Sequence, residues 1–255
     1  MRPYLVATHH GGIAHLRLSR PERLNAIDFE GGRAYRDAVL AAVEADDVRA
    51  IVLSAEGPAF CAGGDVLAMA GLGASSSDVT QAAHVIHEGI QSLVSCAKPV
   101  VAAVHGAVAG GGIGLMLAAD YIVAAPSLRV AGKYADIGLT PDLGVSTLLT
   151  RAVGERRALE MLLTSRDLDA STAQDWGLIN EIVDDPDARA AQIAQQWSTG
   201  ASAALGHAAR LVRASADRSF GESLRDEAHS IGQAYGTPEA QARIAAFAAK
   251  QGQRS

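Results

Sequence analysis

The chain has 255 residues, of which 49% are hydrophobic, 20% are charged and only 4% are aromatic. This length and composition predict a globular protein with a substantial core, built as one large domain or as a domain with an appendage. The formal net charge of −6 argues against general binding to nucleic acid or to a membrane surface, because both attract basic proteins.

The cysteines and the N-terminus indicate the cellular compartment. Cys61 and Cys96 are the only cysteines and form no CxxC motif, so neither a disulfide framework nor a zinc site is indicated. The first residues, MRPYLVATHHGG, lack the apolar core and cleavage pattern of a signal peptide. No apolar run reaches the length of a membrane span. We therefore expect a protein of the reducing cytoplasm without a membrane partner.

The first part of the chain alternates between strand and helix patterns. Apolar residues alternate over residues 4–8 and 12–18, which predicts a hairpin around His10-Gly11-Gly12. Apolar residues at helical spacing predict a helix over residues 31–46. The apolar run RAIVLSA, residues 49–55, predicts a buried strand.

Two glycine-rich turns follow buried strands. The turn GPAFCAGGD, residues 57–65, leads into a short helix, and the turn within AVHGAVAGGGIGLMLAA, residues 103–119, leads into an apolar helix. Glycines allow close approach of a ligand, and a helix N-terminus directs unpaired N–H groups to the same place. This pattern predicts a site for an anionic oxygen, although a tight turn that only packs against a strand would look the same. Leu115 rules out a dinucleotide fingerprint, and no P-loop sequence follows.

The rest of the chain keeps the alternation and then becomes helical. Small polar residues predict a mobile loop over residues 71–78. The further predicted elements are helices at 79–97, 143–153 and 155–163, strands at 100–104, 121–125 and 178–183, and an extended stretch at 130–140. The alternation favours an α/β architecture. Residues from 187 to about 249 have helical periodicity and predict an appendage suited to packing on another subunit.

Six motifs in one order carry a resemblance to a known family. They are PERLNAID, FCAGGD, KPVVAAVHGAVAGGGIGL, AADYIVAAPSLRV, IGLTPDLG and DWGLINEIV, spread over about residues 18–184. In this the chain resembles the crotonase family, also called the enoyl-CoA hydratase/isomerase family. The resemblance implies an α/β fold, a spiral of repeated β-β-α units over residues 1–195. It also implies a C-terminal helical region over residues 196–255 that assembles trimers or hexamers.

The resemblance further implies an acyl-CoA thioester substrate and no cofactor beyond its coenzyme A moiety. Family members hold the thioester oxygen between two backbone N–H groups, which here would belong to Gly64 and Gly111. Such a donor contributes about 3 kcal/mol of transition-state stabilisation. The residues implied around coenzyme A are Arg23, Leu24, Ala62, Asp65 and Val66, with Lys250 reaching a phosphate from a neighbouring subunit. A surface Arg or Lys that is simply solvated is the alternative for the charged positions.

The carboxylates of this chain do not follow the pattern of the hydratases in the family. At the two positions where hydratases carry glutamates, this chain has Gly114 and Tyr134, so full-speed hydration is not expected. A register slip would bring Asp136 near the second position. Asp142 matches the proton shuttle of several family isomerases and the nucleophile of 4-chlorobenzoyl-CoA dehalogenases. The alternative for Asp142 is a cap of the predicted helix 143–153.

The leading hypothesis is a double-bond isomerase in which Asp142 transfers the proton and Tyr134 shapes the acyl pocket or donates a hydrogen bond. A second hypothesis is dehalogenase-like hydrolysis, with His87 as the general base. His87 has the dehalogenase spacing to Pro99, but Gly64 and Ile86 stand where that branch has aromatic residues. Inefficient hydration and acyl-CoA binding without catalysis are the remaining alternatives.

Overall fold

A largely parallel sheet of six strands organises the part of the chain that this computed structural model describes, residues 3–164 and 166–252. Its strands, in order across the sheet, are β1 (Leu5–His10), β2 (Ile13–Leu18), β3 (Ala50–Ala55), β4 (Val100–Val104), β6 (Tyr121–Ala124) and β9 (Glu181–Ile182). A second sheet has the strands β5 (Ala107–Ala109), β7 (Arg129–Ala131) and β8 (Asp167–Asp169). β1 and β2 form the expected antiparallel hairpin, and the other pairs of the large sheet are parallel.

Helices alternate with the strands of the two sheets and then form the C-terminal part of the chain. They are α1 (Phe29–Glu44), α2 (Val66–Gly71), α3 (Ser76–Ser95), α4 (Gly111–Leu117), α5 (Val145–Val153), α6 (Glu155–Leu163), α7 (Ala170–Asp175), α8 (Pro186–Thr199), α9 (Ser202–Ser215), α10 (Phe220–Tyr235) and α11 (Pro238–Gly252). β4 is followed by β5 and then α4, and β6 by β7 and then α5. β3 leads to a bridge between Cys61 and Val108 in β5 and then to α2. This path is the β-β-α spiral that the sequence predicts.

The core lies on both faces of the large sheet. All residues of β3 are buried, as expected for a parallel strand covered on both faces. Ile51 and Leu53 pack into the main core, whereas Val52 joins a smaller cluster with Ile193 of α8. The predicted domain boundary between residues 195 and 196 thus falls within a helix that packs on the sheet.

The start of α3 differs from the prediction. The helix begins at Ser76 instead of residue 79, so the end of the predicted loop 71–78 is helical. Ser75 Oγ accepts the Asp78 N–H at 3.2 Å, and the Asp78 carboxylate accepts the Ser75 N–H at 2.9 Å. This reciprocal capping box stabilises the first turn of the helix.

The segment before α5 also differs from the prediction. The expected extended stretch 130–140 ends soon after β7, because Lys133 has a left-handed φ of 54° and a 3₁₀ turn follows at Ala135–Ile137. The helix predicted from residue 143 begins at Val145 with Gly144 as its N-cap residue. The cap alternative for Asp142 is therefore wrong.

The helical tail leaves large apolar side chains uncovered. Val212, Phe220, Ile231, Tyr235 and Phe247 are between 62% and 79% exposed in the single chain. In the single chain, α11 is exposed at nearly every position from residue 238 to residue 250. Within the described residues, no helix combines the length and the apolar character needed to cross a membrane.

Candidate active site

One cavity of about 580 Å³ brings most of the predicted site residues together. It lies between α2, α3, the start of α4 and the segment before α5. Its lining includes Ala62, Gly64, Val66, His87, Gly111, Tyr134 and Asp142. A larger cavity of about 700 Å³ lies beside α9 and contains none of the predicted site residues. We therefore place the candidate active site in the smaller cavity.

Backbone pairing holds the two glycine turns side by side. The Cys61 N–H donates to the Ala107 carbonyl at 3.2 Å, and the Ala109 N–H donates to the Cys61 carbonyl at 2.9 Å. Gly63 follows with a φ of 95°, and a Cβ placed on it would lie 2.8 Å from the Ala109 carbonyl oxygen. Only glycine allows this conformation and this close approach. The two turns therefore meet at the cavity.

The amides of Gly64 and Gly111 are free to bind a ligand. The Ile27 N–H donates to the Gly63 carbonyl at 2.7 Å, and the Asp65 N–H donates to the Ile27 carbonyl at 2.8 Å, so the Gly64 N–H is directed away from Ile27. Gly111 is the first residue of α4, where an N–H has no acceptor within the helix. Neither amide has an acceptor among the residues that the structure describes. Two free donors at one cavity suit a developing oxyanion.

Asp142 is held beside these amides by Tyr134. The Tyr134 hydroxyl donates to Asp142 Oδ1 at 2.7 Å and accepts the Asp142 N–H at 3.3 Å. Burial, followed by the negative charge of Asp142, raises the pKa of Tyr134 well above its usual value, so the phenol stays a donor. Asp142 Oδ1 lies 3.4 Å from the position of a Cβ on Gly111. Asp142 Oδ2 has no hydrogen-bond partner among the described residues.

His87 contacts the residue that follows Asp142. Its Nε2 accepts the Leu143 N–H at 3.0 Å. His84, which the sequence analysis missed, also lines the cavity, and its ring lies edge-on to that of His87 at 6.2 Å between centroids. His84 and His87 are three residues apart on α3, and residues i and i+3 share a helix face. This spacing is the sequence signal that indicates a position for His84 beside His87. Ile86, expected near the acyl pocket, is instead buried in the core.

The hydratase carboxylate positions are occupied by other groups. A Cβ placed on Gly114 would overlap the carbonyl oxygen of Leu143, so the position has no room for any side chain. Tyr134 fills the second position and binds Asp142. Asp136 lines the cavity but lies 3.8 Å from Lys133 in an ion pair.

Of the residues predicted around coenzyme A, Ala62 and Val66 line the cavity, whereas Arg23 and Asp65 pair with each other beside it. The Asp65 carboxylate is 3% exposed and accepts two hydrogen bonds from Arg23, at 2.6 and 3.1 Å. Leu24 is 43% exposed and its carbonyl accepts the Ala62 N–H at 3.0 Å. Lys250 is exposed near the end of α11, so its contact with coenzyme A remains a prediction. Among the described residues, no cluster of three or more His, Cys, Asp or Glu side chains is placed to hold a metal ion.

The fold is an α/β fold, and its cavity brings together two glycine turns and the Asp142 carboxylate. The family model described as Enoyl-CoA hydratase/isomerase matches residues 8–253. The chain belongs to this enzyme family, whose crotonase-like fold it shares.

Individual relatives within the family differ in their named reactions. A 4-chlorobenzoyl coenzyme A dehalogenase from an Arthrobacter species is 30% identical over 252 residues, covering 97% of this chain and 91% of that protein. The 1,2-epoxyphenylacetyl-CoA isomerase of Escherichia coli K12 is 33% identical over 217 residues, covering 81% of this chain and 80% of that protein. An enoyl-CoA hydratase structure from Polaromonas sp. JS666 has a TM-score of 0.89 at 31% identity, covering 96% of this chain and 97% of that one.

Proposed function

We propose that the protein moves a double bond, or a related proton, within an acyl-CoA thioester through an enolate. The observation that carries this proposal is the placement of Asp142, which Tyr134 fixes in the cavity next to the free amide of Gly111. One carboxylate beside two oxyanion donors is sufficient for transferring a proton between two carbons of one substrate.

In the proposed reaction, Asp142 Oδ2 removes a proton from the carbon between the thioester and the double bond of a 3-enoyl-CoA. The electron pair of the broken C–H bond moves into the thioester, and the oxygen gains charge that the N–H groups of Gly64 and Gly111 stabilise. Protonated Asp142 then returns the proton to the far carbon, so that the double bond becomes conjugated with the thioester. Each amide contributes about 3 kcal/mol to this step.

Hydration is disfavoured because the cavity lacks a second positioned carboxylate to activate water. Gly114 is closed off by the Leu143 carbonyl, and Tyr134 donates its hydroxyl to Asp142. Asp136 is engaged with Lys133. Part of the wall is apolar, which suits an aliphatic acyl group, and the residues that form this part are Val66, Met69, Val79, Ala83, Ile137 and Leu139.

The decisive experiment incubates the protein with a 3-enoyl-CoA in D₂O and follows conjugated-thioester absorbance and deuterium entry into the acyl chain. We expect both signals in the wild type, and a loss of at least about 100-fold in Asp142→Asn. Binding of the acyl-CoA to this variant should be nearly unchanged, because the amides remain. Unaltered turnover in Asp142→Asn would contradict the proposal. A selective loss in Asp136→Asn would reassign the acid–base group.

A second candidate is dehalogenase-like hydrolysis, favoured by the position of His87 beside Asp142 and by the Arthrobacter relative. Asp142 would attack the halogen-bearing ring carbon of a 4-halobenzoyl-CoA and expel halide, and water would then cleave the aryl ester. Mass spectrometry of the wild type and of His87→Gln after incubation with 4-chlorobenzoyl-CoA tests this. An aryl ester on Asp142 that still carries the benzoyl-CoA group supports it, and an unmodified peptide in both proteins excludes it.

We infer, on the family resemblance, that the working form is a homotrimer or hexamer in the cytoplasm and that coenzyme A is the only cofactor moiety required. The uncovered apolar side chains of the C-terminal helices support the oligomer. Light scattering of the purified protein measures the subunit number. A monomer at micromolar concentration would contradict this inference.

A further inference from the structure

Two successive backbone amides around the proposed acid–base residue are each bound by a side chain. The Asp142 N–H donates to the Tyr134 hydroxyl at 3.3 Å, and the Leu143 N–H donates to His87 Nε2 at 3.0 Å. The two side chains belong to different elements, because His87 lies on α3 and Tyr134 immediately precedes the 3₁₀ turn. The Asp142-Leu143 turn is therefore fixed on both of its amides.

The same turn has a conformation that needs such support. Leu143 has a left-handed φ of 49°, which is a strained conformation for a residue other than glycine. Its carbonyl oxygen packs directly against Gly114, and its Cδ1 lies 2.6 Å from the position of a Cβ on Gly111. Leu143 is 3% exposed. A turn wedged this tightly can shift only as a unit, and a shift of Leu143 would move Asp142.

We propose that His87 is a positioning residue, which holds Asp142 in its catalytic place by accepting the Leu143 N–H. The inference rests on the proposed role of Asp142 as the acid–base group. It gives His87 a function different from the general base that the dehalogenase comparison implies.

The hydrogen bond itself argues against a general base at His87. A backbone N–H can only donate, so the lone pair of Nε2 is occupied and the proton of the neutral ring must be on Nδ1. In this state neither ring nitrogen is free to accept a proton from substrate or water. The other polar or titratable side chains that line the cavity are Thr80, His84, Lys133, Tyr134, Asp136, Thr140 and Asp142.

Two substitutions at His87 separate positioning from base catalysis. Gln can place Oε1 near the position of Nε2 and accept the Leu143 N–H, whereas Leu has similar bulk and no acceptor. We expect kcat to stay within about threefold of wild type in His87→Gln and to fall about 10- to 100-fold in His87→Leu, with KM changed less than about threefold. The control is His229→Gln, an exposed histidine on α10, with wild-type kinetics.

A general base predicts a different pattern, with losses of about 10²- to 10⁴-fold in both variants. Equal losses in Gln and Leu, or wild-type kcat in His87→Leu, would overturn the proposal. Circular dichroism and melting temperatures establish that each variant is folded. If His87→Leu does not fold, the kinetics of His87→Gln and the tautomer of His87 still test the proposal.

The tautomer of His87 can be measured without any substrate. In ¹⁵N-labelled wild-type protein, long-range ¹H–¹⁵N correlation spectra at neutral pH should show a protonated Nδ1 and an unprotonated Nε2 for His87, assigned by its loss in His87→Gln. A protonated Nε2 would overturn the inference. This measurement does not depend on turnover, so it separates the positioning role of His87 from the proposed isomerase function. An inactive wild type with the expected tautomer would mean that the isomerase proposal fails.

Discussion

Gly64 and Gly114, one in each glycine-rich segment at the cavity, differ in the space around them. A Cβ placed on Gly64 would meet nothing closer than the Met69 sulfur at 3.9 Å. A Cβ placed on Gly114, in the first turns of α4, would overlap the carbonyl oxygen of Leu143. Backbone packing therefore requires glycine at residue 114, as it does at Gly63, whereas Gly64 leaves open space beside the cavity.

The two turns are also held in place by different forces. The turn at residues 110–114 is fixed by van der Waals contact with neighbouring backbone, which does not depend on pH or salt. The turn at residues 63–65 ends at Asp65, whose buried carboxylate pairs with Arg23 at 2.6 Å and lies 3.7 Å from Arg20. A buried ion pair thus adds to the backbone contacts that hold the turn at residues 63–65, whereas residues 110–114 contain no ionisable side chain.

The largest effect is expected from Gly114→Ala. The added methyl group overlaps a backbone carbonyl that cannot rotate away, so we expect a loss of at least about 3 kcal/mol in the free energy of unfolding, measured by chemical denaturation. Gly114→Glu, which restores a hydratase carboxylate, should fail to fold. Gly64→Ala is the matched control and should change stability by less than about 0.5 kcal/mol.

Either of two results would remove this contrast between the turns. Gly114→Ala with the stability of wild type would show that the Leu143 turn can move. A folded Gly114→Glu that hydrates a 2-enoyl-CoA would show that the cavity has room for a water-activating carboxylate.

A smaller effect, on activity, is expected at Gly64. Gly64→Pro removes the N–H donor, so kcat on an accepted acyl-CoA should fall about 10²- to 10³-fold. Gly64→Ala keeps the donor and meets no steric obstacle, so its kcat should stay within about threefold. Steady-state kinetics with melting temperatures of both variants test this. Equal kcat values in the two would mean that the Gly64 amide does not bind the oxyanion.

The sequence was sufficient to predict the fold and part of the cavity lining, because its ordered motifs resemble those of a known family and include the two glycine turns. It did not predict how the lining residues interact. Tyr134 and Asp142 are eight residues apart, and the segment between them turns back through the 3₁₀ turn Ala135–Ile137 and through Gly138, whose φ is 69°. An extended stretch, which the sequence predicts over residues 130–140, would instead keep the two side chains far apart.

The error at α3 had a different cause, since its signal was present in the sequence. The residues Ser75 and Asp78 have the spacing of a capping box, and the structure contains both of its hydrogen bonds. The small polar residues around them are also typical of a loop, and this second signal conflicts with the first. The surroundings of Gly114 could not be predicted either. The sequence shows that the glutamate is missing, but not that backbone fills the space where its side chain would lie.

The smallest effect follows from the charged cluster at Asp65. Burial raises the pKa of this carboxyl, but the Arg23 hydrogen bonds, the Ala68 N–H and the nearby arginine charges outweigh it, so the net pKa is lowered. A lowered folded-state pKa stabilises the protein above the unfolded value of about 4, and this stabilisation is lost as the pH falls through the folded-state value. Acid should therefore weaken the 63–65 turn and leave the 110–114 turn unaffected.

Asp65→Asn isolates the charge, because Asn can still accept the Ala68 N–H that caps α2. We expect the difference in unfolding free energy between wild type and Asp65→Asn to be largest near pH 7 and to shrink below about pH 4. The difference between wild type and Gly114→Ala should stay constant over the same range. Urea unfolding at several pH values measures both. A pH-independent difference for Asp65→Asn would mean that the Arg23 pair contributes no net stability and that packing holds both turns.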